Sequence, residues 1–199
     1  MKVTLEKTFP MPASANTAWA LLQDIEGVAN CMPGAKITER IDDRHYKGTV
    51  AVKFGPASMS FRGEVEVRGI DAATQTLRLF AKGTDTTGSS AASMDLTARV
   101  EAVDAASCNL LGTSEVSMSG KAATFGGRMM GSVADQVLKQ FAANFATQVQ
   151  ALQARQVVDA PAAAPALAPT QEPAQLNGLA LMWAVIKDWL RSLFGAKKA

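Results

Sequence analysis

The chain has 199 residues, of which 48% are hydrophobic and 19% are charged, and its formal net charge is +2. This length accommodates one domain of about 150 residues with an extension, and the composition is that of a globular protein with a sizeable core. The small net charge and the lack of a basic cluster interleaved with aromatic residues argue against a nucleic-acid-binding protein.

The amino-terminal segment and the cysteines indicate the cellular compartment. Residues 1–12 contain no apolar run as long as that of a signal peptide. Cys31 and Cys108 lie far apart, and such a pair in a chain without a secretion signal is expected to be two reduced thiols. We therefore expect a cytoplasmic protein.

The first elements are a strand and a helical region. Val3 and Leu5 alternate with polar residues, which predicts a strand. Residues 13–30 are helical in pattern, with Ser14 or Asn16 as the predicted N-cap. Five segments with strand patterns and short spacing follow, as in a meander: 46–54, 58–69, 76–81, 90–100 and 108–118.

A long amphipathic helix is predicted over residues 132–153. Apolar residues recur every four positions from Val133 to Val149. Ser132 followed by Asp135 resembles a capping box, so we expect the helix to begin there. Its length would be about 33 Å.

The order of these elements predicts an α+β domain over residues 1–155. We expect an antiparallel sheet of about seven strands curled around the long helix. Its inward faces carry many small or flexible residues, which favours an apolar cavity, although a filled core is the alternative. The predicted cavity-lining residues are Phe61, Val65, Met94, Leu96, Met118, Phe125, Met129, Val133, Val137 and Phe141.

Residues 156–177 separate this domain from a different kind of segment. They are rich in alanine and contain four prolines, which exclude a continuous helix. As a flexible tether they would span roughly 26 Å. We predict a linker here.

Residues 178–199 predict an amphipathic helix. Its apolar run ends at Lys187, too early to span a bilayer, and its basic residues outnumber the single acidic one by four to one. The helix is expected to lie on a membrane surface, with a groove of a partner protein or its own domain as alternatives. The predicted membrane-binding residues are Leu179, Met182, Trp183, Ile186, Lys187, Trp189, Leu190, Arg191, Leu193 and Phe194.

No residue set predicts catalysis or a metal site. His45, the only histidine, is interpreted as a solvated turn residue, and one histidine with two distant cysteines cannot supply a metal site. The glycines at 126–131 form no phosphate loop. Arg128 is either a surface residue or a partner for a polar head group at the cavity mouth. We predict no catalytic residue, no metal and no covalent cofactor.

Three segments of the domain resemble the CoxG family, which is named after carbon monoxide dehydrogenase. They are ANCMPGA at 29–35, YKGTVAVKFGPASMSFRGEVEV at 46–67 and GKAATFGGRMMG at 120–131. The element order is similar to the helix-grip fold of START-like and Bet v 1-like proteins, the SRPBCC superfamily. The resemblance implies an accessory protein that brings a molybdenum-containing dehydrogenase, or a related hydroxylase, to the membrane, where electrons pass to quinone.

Together these observations predict a non-enzymatic protein that is peripheral at the inner face of the cell membrane. Its expected partners are the dehydrogenase complex, the membrane lipid surface and a lipophilic small molecule, either a quinone or an isoprenoid lipid, but no nucleic acid. Two alternatives remain open at this point. One is a recruitment adaptor without a ligand, and the other is an enzyme acting on a small apolar substrate.

Overall fold

A computed structural model describes residues 1–54 and 57–159 of the chain. The predicted tail helix, most of the predicted linker and the side chains of Phe125 and Arg128 lie outside this description. In chain order the elements are β1 (Lys2–Met11), α1 (Ala15–Gln23), α2 (Ile25–Cys31), β2 (Ala35–Arg40), β3 (His45–Phe54), β4 (Ala57–Asp71), β5 (Thr76–Asp85), β6 (Ser90–Ala102), β7 (Cys108–Gly120), a short 3₁₀ helix (Lys121–Phe125) and α3 (Gly126–Asp159).

The described strands form one antiparallel sheet, as predicted. Their order is β1-β7-β6-β5-β4-β3-β2, so that the first strand pairs with the last and both β1 and β2 are edge strands. Side chains of α3 pack on one face of the sheet, which confirms the predicted α+β helix-grip architecture. Strand β2 was not predicted, because it is short and mostly exposed and therefore shows little apolar alternation.

Two helices occupy the predicted helical region. Ser14 is the N-cap of α1, and its hydroxyl accepts a hydrogen bond from the Thr17 amide at 3.2 Å. Asp24 then ends α1 and caps α2, since its carboxylate accepts a hydrogen bond from the Gly27 amide at 3.0 Å. One carboxylate thus serves as a boundary inside a region that appears continuous in sequence.

The predicted start of the long helix at Ser132 is wrong, because α3 begins at Gly126. The chain leaves β7 at Gly120, whose φ of +69° is a left-handed conformation that favours glycine. The Ala122 amide then donates to the Ser90 hydroxyl at 3.0 Å, which anchors the 3₁₀ helix leading directly into α3. Ser132 therefore lies inside the helix, and the predicted capping box does not form its end.

The main core lies between the sheet, α1 and the middle and carboxyl-terminal part of α3. Phe145 and Val149 of α3 are fully buried there, together with Leu77 of β5. The ring centroids of Phe141 and Phe145 lie 5.7 Å apart, and the two ring planes are inclined by 44°. This packing holds α3 across the sheet and leaves its amino-terminal half over the other end of the strands.

Candidate functional site

The side chains on the inward face of the sheet change from buried to half-buried along the strands. In β6, Ala98 and Val100 are buried, whereas Ala92, Met94 and Leu96 are half-buried. In a close-packed interior such apolar side chains would be excluded from solvent along the whole strand. On the inward face of β6, the half-buried stretch from Ala92 to Leu96 therefore lies between the buried Ser90 and the buried Ala98.

Half-buried apolar residues of the neighbouring strands adjoin this stretch. Met94 lies opposite Ala81 of β5 and Val116 of β7, both of which are also half-buried. We call the half-buried apolar region the open end. Its residues are Val3, Leu5, Val50, Val52, Met59, Ala81, Ala92, Met94, Leu96, Val116, Val133 and Val137.

A small cluster of buried residues lies beneath the open end, separate from the main core. It consists of Phe61, Met118, Ala122 and Met130. Half-buried residues of the sheet and Val133 of α3 pack against it. Buried and half-buried apolar side chains therefore adjoin one another in this region.

The structure divides the sequence-predicted cavity residues among several places. Phe61, Met118 and Val133 belong to the cluster beneath the open end. Phe141 belongs to the main core, and Val65 and Leu96 pack against it. Among the described residues, Met94 and Val137 are half-buried and belong to neither cluster. Met129 is 40% exposed.

Sequence reasoning missed several residues of this region. Val50 lies opposite Phe61, and Val52 opposite Met59, only because of the register between β3 and β4. Alternation along β3 placed these valines on one face but could not show which residues they adjoin. Met130 lies outside the predicted helix, which begins at Ser132, whereas α3 begins at Gly126 and includes it.

Two polar side chains accompany the apolar walls. Ser114 of β7 is 8% exposed and lies between Leu5 and Leu96 on the inward face. Lys7 lies on the inward face of β1, and its Nζ is 2.8 Å from Oδ1 of Asp135 in α3. The open end thus offers one hydroxyl within its walls and one ion pair between β1 and α3.

The single histidine is exposed, and both cysteines are buried. His45 is the first residue of β3 rather than a turn residue, and its Nδ1 lies 2.9 Å from both carboxylate oxygens of Asp42 in the preceding connection. Cys31 and Cys108 are free thiols. Burial, aided by the nearby Asp24 carboxylate, raises the pKa of the Cys31 thiol to about 11, so that this thiol is protonated and a poor nucleophile at neutral pH. Within residues 1–54 and 57–159, no group of three or more metal-ligating side chains occurs.

A family match agrees with this architecture. Residues 8–150 match the sequence model of the CoxG component of carbon monoxide dehydrogenase. The chain belongs to the CoxG family. No curated protein sequence matches this CoxG-family chain.

Solved structures similar to this CoxG-family protein show its fold. A conserved protein from Geobacillus kaustophilus has a TM-score of 0.68 at 19% identity, over 75% of this chain and 96% of its own. A START superfamily protein from Mycobacterium smegmatis has a TM-score of 0.52 at 18% identity, over 75% and 98%. The Zhui aromatase/cyclase from Streptomyces sp. R1128 has a TM-score of 0.55 at 17% identity, and the match covers 79% of this chain and 96% of the cyclase. These likenesses establish a START/Bet v 1-like fold, which both enzymes and other proteins share.

None of the described helices of this CoxG-family protein is both long enough and apolar enough to cross a bilayer.

Proposed function

We propose that this CoxG-family protein is a non-catalytic accessory protein of a molybdenum-containing carbon monoxide dehydrogenase or a related hydroxylase. In this proposal the open end binds a lipophilic molecule, a quinone or an isoprenoid lipid. The observation that carries the ligand part is the half-buried apolar lining of the open end. A ligand covering this lining would gain roughly 25 cal/mol for each Å² of apolar surface removed from water.

The residues at the open end favour a ligand that is largely apolar and carries an acceptor oxygen. Met59 and Met94 are flexible and polarisable, so their side chains can adapt to an irregular apolar molecule. The Ser114 hydroxyl is a donor among apolar neighbours and suits a carbonyl oxygen of a quinone ring. A single hydroxyl in an apolar site fixes orientation without requiring a charged ligand.

The non-catalytic part of the proposal is supported by the groups present near the open end. Lys7 and Asp135 are paired with each other, and the thiols of Cys31 and Cys108 lie buried in the main core. An enzyme that uses acid–base chemistry would need a titratable group directed at its substrate. Two neighbours named as enzymes, the aromatase/cyclase and norcoclaurine synthase from Thalictrum flavum, share the fold at only 17% and 15% identity.

Membrane recruitment and a location at the inner face of the cell membrane complete the proposal. They are supported by the amphipathic, basic pattern of residues 178–199. A bilayer is also where a lipophilic ligand would be obtained and released. Reversible attachment of the protein would allow it to approach both the bilayer and the dehydrogenase.

The test compares one substitution at the open end with the same substitution in the main core. Val137 is half-buried and Val149 is fully buried, and both lie on α3. Val137→Trp should fill the site and abolish retention of the extracted ligand while the domain stays folded. Val149→Trp should overpack the core and destabilise the fold by about 1–3 kcal/mol or more.

The readouts are mass spectrometry of organic extracts from the purified protein and thermal unfolding by circular dichroism. We expect a lipophilic molecule in extracts of the wild type and of Val149→Trp molecules that remain folded, but not in those of Val137→Trp. An absence of extractable ligand, no uptake of quinone analogues and an unfolded Val137→Trp variant would leave only the adaptor function.

A further inference from the structure

A depression, which we call the outer groove, lies on the outward face of the sheet. Its volume is about 800 Å³. Every strand contributes lining residues, and among the described residues no helix does. Its charged and hydroxyl lining residues alternate along the strands with inward-facing residues, so the outer groove opens on the side of the sheet opposite α3. The lining also includes Ala92 and Met118, which belong to the inward region.

Two rows of laterally paired residues line most of the outer groove. Residues paired across neighbouring strands lie about 5 Å apart and act on one another directly. The first row runs through Arg62, Thr84, Ala91 and Ser119. The second row runs through Lys47, Glu64, Lys82, Ser93, Ser117 and Lys2.

Among the residues that the structure describes, the lining carries four cationic side chains and one carboxylate, that of Glu64. Three of the cationic side chains are lysines, and each has a carboxylate partner within the fold. The pairs are Lys82 with Glu64 at 3.3 Å, Lys47 with Glu39 at 2.9 Å and Lys2 with Glu115 at 2.6 Å.

Arg62 differs from these lysines. Its lateral neighbours are Thr49 and Thr84, which carry no charge. Its side chain is exposed, and it forms no ion pair with any residue in the described part of the chain. The lining therefore presents a guanidinium group whose donors remain available to an incoming anion.

The backbone fixes the shape of the outer groove. Gly63 and Gly83 lie opposite each other in β4 and β5. A Cβ atom at Gly83 would lie only 2.8 Å from the Arg62 carbonyl oxygen, and one at Gly63 would overlap the Lys82 carbonyl oxygen. The two strands therefore approach so closely here that only glycine fits. The positions of Arg62 and Lys82 are set by this approach rather than by mobile loops.

We propose that the outer groove docks an acidic, protruding segment of a partner protein, a loop or helix end that carries carboxylates. Arg62 would bind a carboxylate through two parallel hydrogen bonds, and Lys82 would lie beside a second one. The hydroxyls of Ser93, Ser117 and Thr84 would bond to the polar groups of the segment. The inference deepens the proposed function and rests on it for the identity of the partner, which is the dehydrogenase. The acidic character expected of the partner follows instead from the cationic side chains of the outer groove.

The form of the outer groove favours a protein segment over a bilayer. A bilayer surface is broad, and proteins that lie on it insert exposed apolar side chains. The outer groove is concave, and its lining is composed mainly of charged, hydroxyl and small residues. Docking on this face would leave the open end, on the other side of the sheet, free to exchange its ligand.

The experiment measures binding of a fluorescein-labelled, glutamate-rich peptide to the full-length chain by fluorescence anisotropy. We expect Arg62→Glu to weaken binding at least about tenfold, because it replaces the unpaired cation by a repelling carboxylate. The matched control is Arg78→Glu, which makes the same charge change at an exposed residue of β5 outside the outer groove. The control should weaken binding by less than about twofold, and circular dichroism checks that both variants are folded.

Two outcomes would overturn the docking proposal. One is equal weakening by Arg62→Glu and Arg78→Glu, which would indicate an effect of net charge alone. The other is unchanged peptide binding by Arg62→Glu together with reduced binding to phosphatidylglycerol vesicles, which would assign this face to the membrane. Ligand extraction is measured in the same variants. Loss of peptide binding with no extractable ligand in the wild type would contradict the proposed lipophilic site and leave the outer groove supported.

Discussion

Lys7 of β1 and Asp135 of α3 form an ion pair that joins the sheet to the amino-terminal half of the long helix, with 2.8 Å between Nζ and Oδ1. Lys7 lies on an edge strand, and Asp135 lies between Val133 and Val137 of the open end. The ion pair is therefore a polar connection across one side of the proposed ligand site.

Removing this ion pair should accelerate ligand exchange, whereas the free energy of unfolding should change little. The two side chains are 39% and 61% exposed, so Lys7→Met or Asp135→Asn should cost less than about 1 kcal/mol of unfolding free energy. Stopped-flow dissociation of a fluorescent quinone analogue should be roughly two- to fivefold faster in each variant. Lys139→Met, at an exposed residue of the same helix, serves as the control. Unchanged dissociation rates would mean that the ion pair does not restrict the site.

Deletion of residues 178–199 should strongly reduce co-sedimentation with anionic liposomes. The expected cause is loss of an amphipathic surface whose basic residues attract the negative leaflet. Trp183→Glu combined with Trp189→Glu should reproduce the deletion, because both tryptophans belong to the predicted apolar face. The far-ultraviolet circular dichroism of the domain should not change. Liposome binding that persists after deletion would exclude a membrane role for this segment.

The end of α3 should contribute to the stability of the domain beyond the predicted boundary at Arg155. The Thr17 hydroxyl donates to Oε1 of Gln156 at 3.0 Å, and the Ser14 amide donates to Oε1 of Gln153 at 2.7 Å. A chain ending at Asp159 should therefore fold without the tail and be more stable than one ending at Arg155 by about 0.5–1.5 kcal/mol. In the full chain, Gln156→Ala should lower stability by a similar amount in urea denaturation. Equal midpoints would show that the hydrogen bond between Thr17 and Gln156 is replaced by water without loss, since Gln153 is present in all of these chains.

The free energy of unfolding should depend on alkaline pH through Cys31. Burial raises the pKa of this thiol from its ordinary value of 9.0 to about 11, so the unfolded thiol ionises first. The contribution of the protonated Cys31 thiol to the free energy of unfolding is fully present below pH 9. It is lost as the pH rises through 11, and the loss is up to about 2–3 kcal/mol. Denaturation of Cys31→Ala over this range should show a flatter pH profile than that of the wild type. Parallel profiles, or rapid labelling of the native thiol by a disulfide reagent at pH 8, would contradict the prediction.

Features that depend on neighbouring residues along the chain could be predicted from the sequence. Alternation through Phe61, Val65 and Val67 predicted the inward face of β4, because side chains in a strand point to opposite faces with a period of two. Ser14 was one of two predicted N-caps, with Asn16 as the other, because a capping hydroxyl needs only the amide three residues ahead. The family match followed from residues spread over the whole domain.

The way these elements meet is set by contacts that no local pattern contains. The start of α3 depends on the hydrogen bond between Ala122 and Ser90, which lie 32 positions apart. The burial of each inward residue depends on which part of α3 or the 3₁₀ helix packs against it. The outer groove depends on register, since Lys47, Lys82 and Lys2 belong to one lateral row only because successive strand pairings align them. Local patterns specify which face a residue occupies, but the partners it meets there are set by contacts between segments distant in sequence.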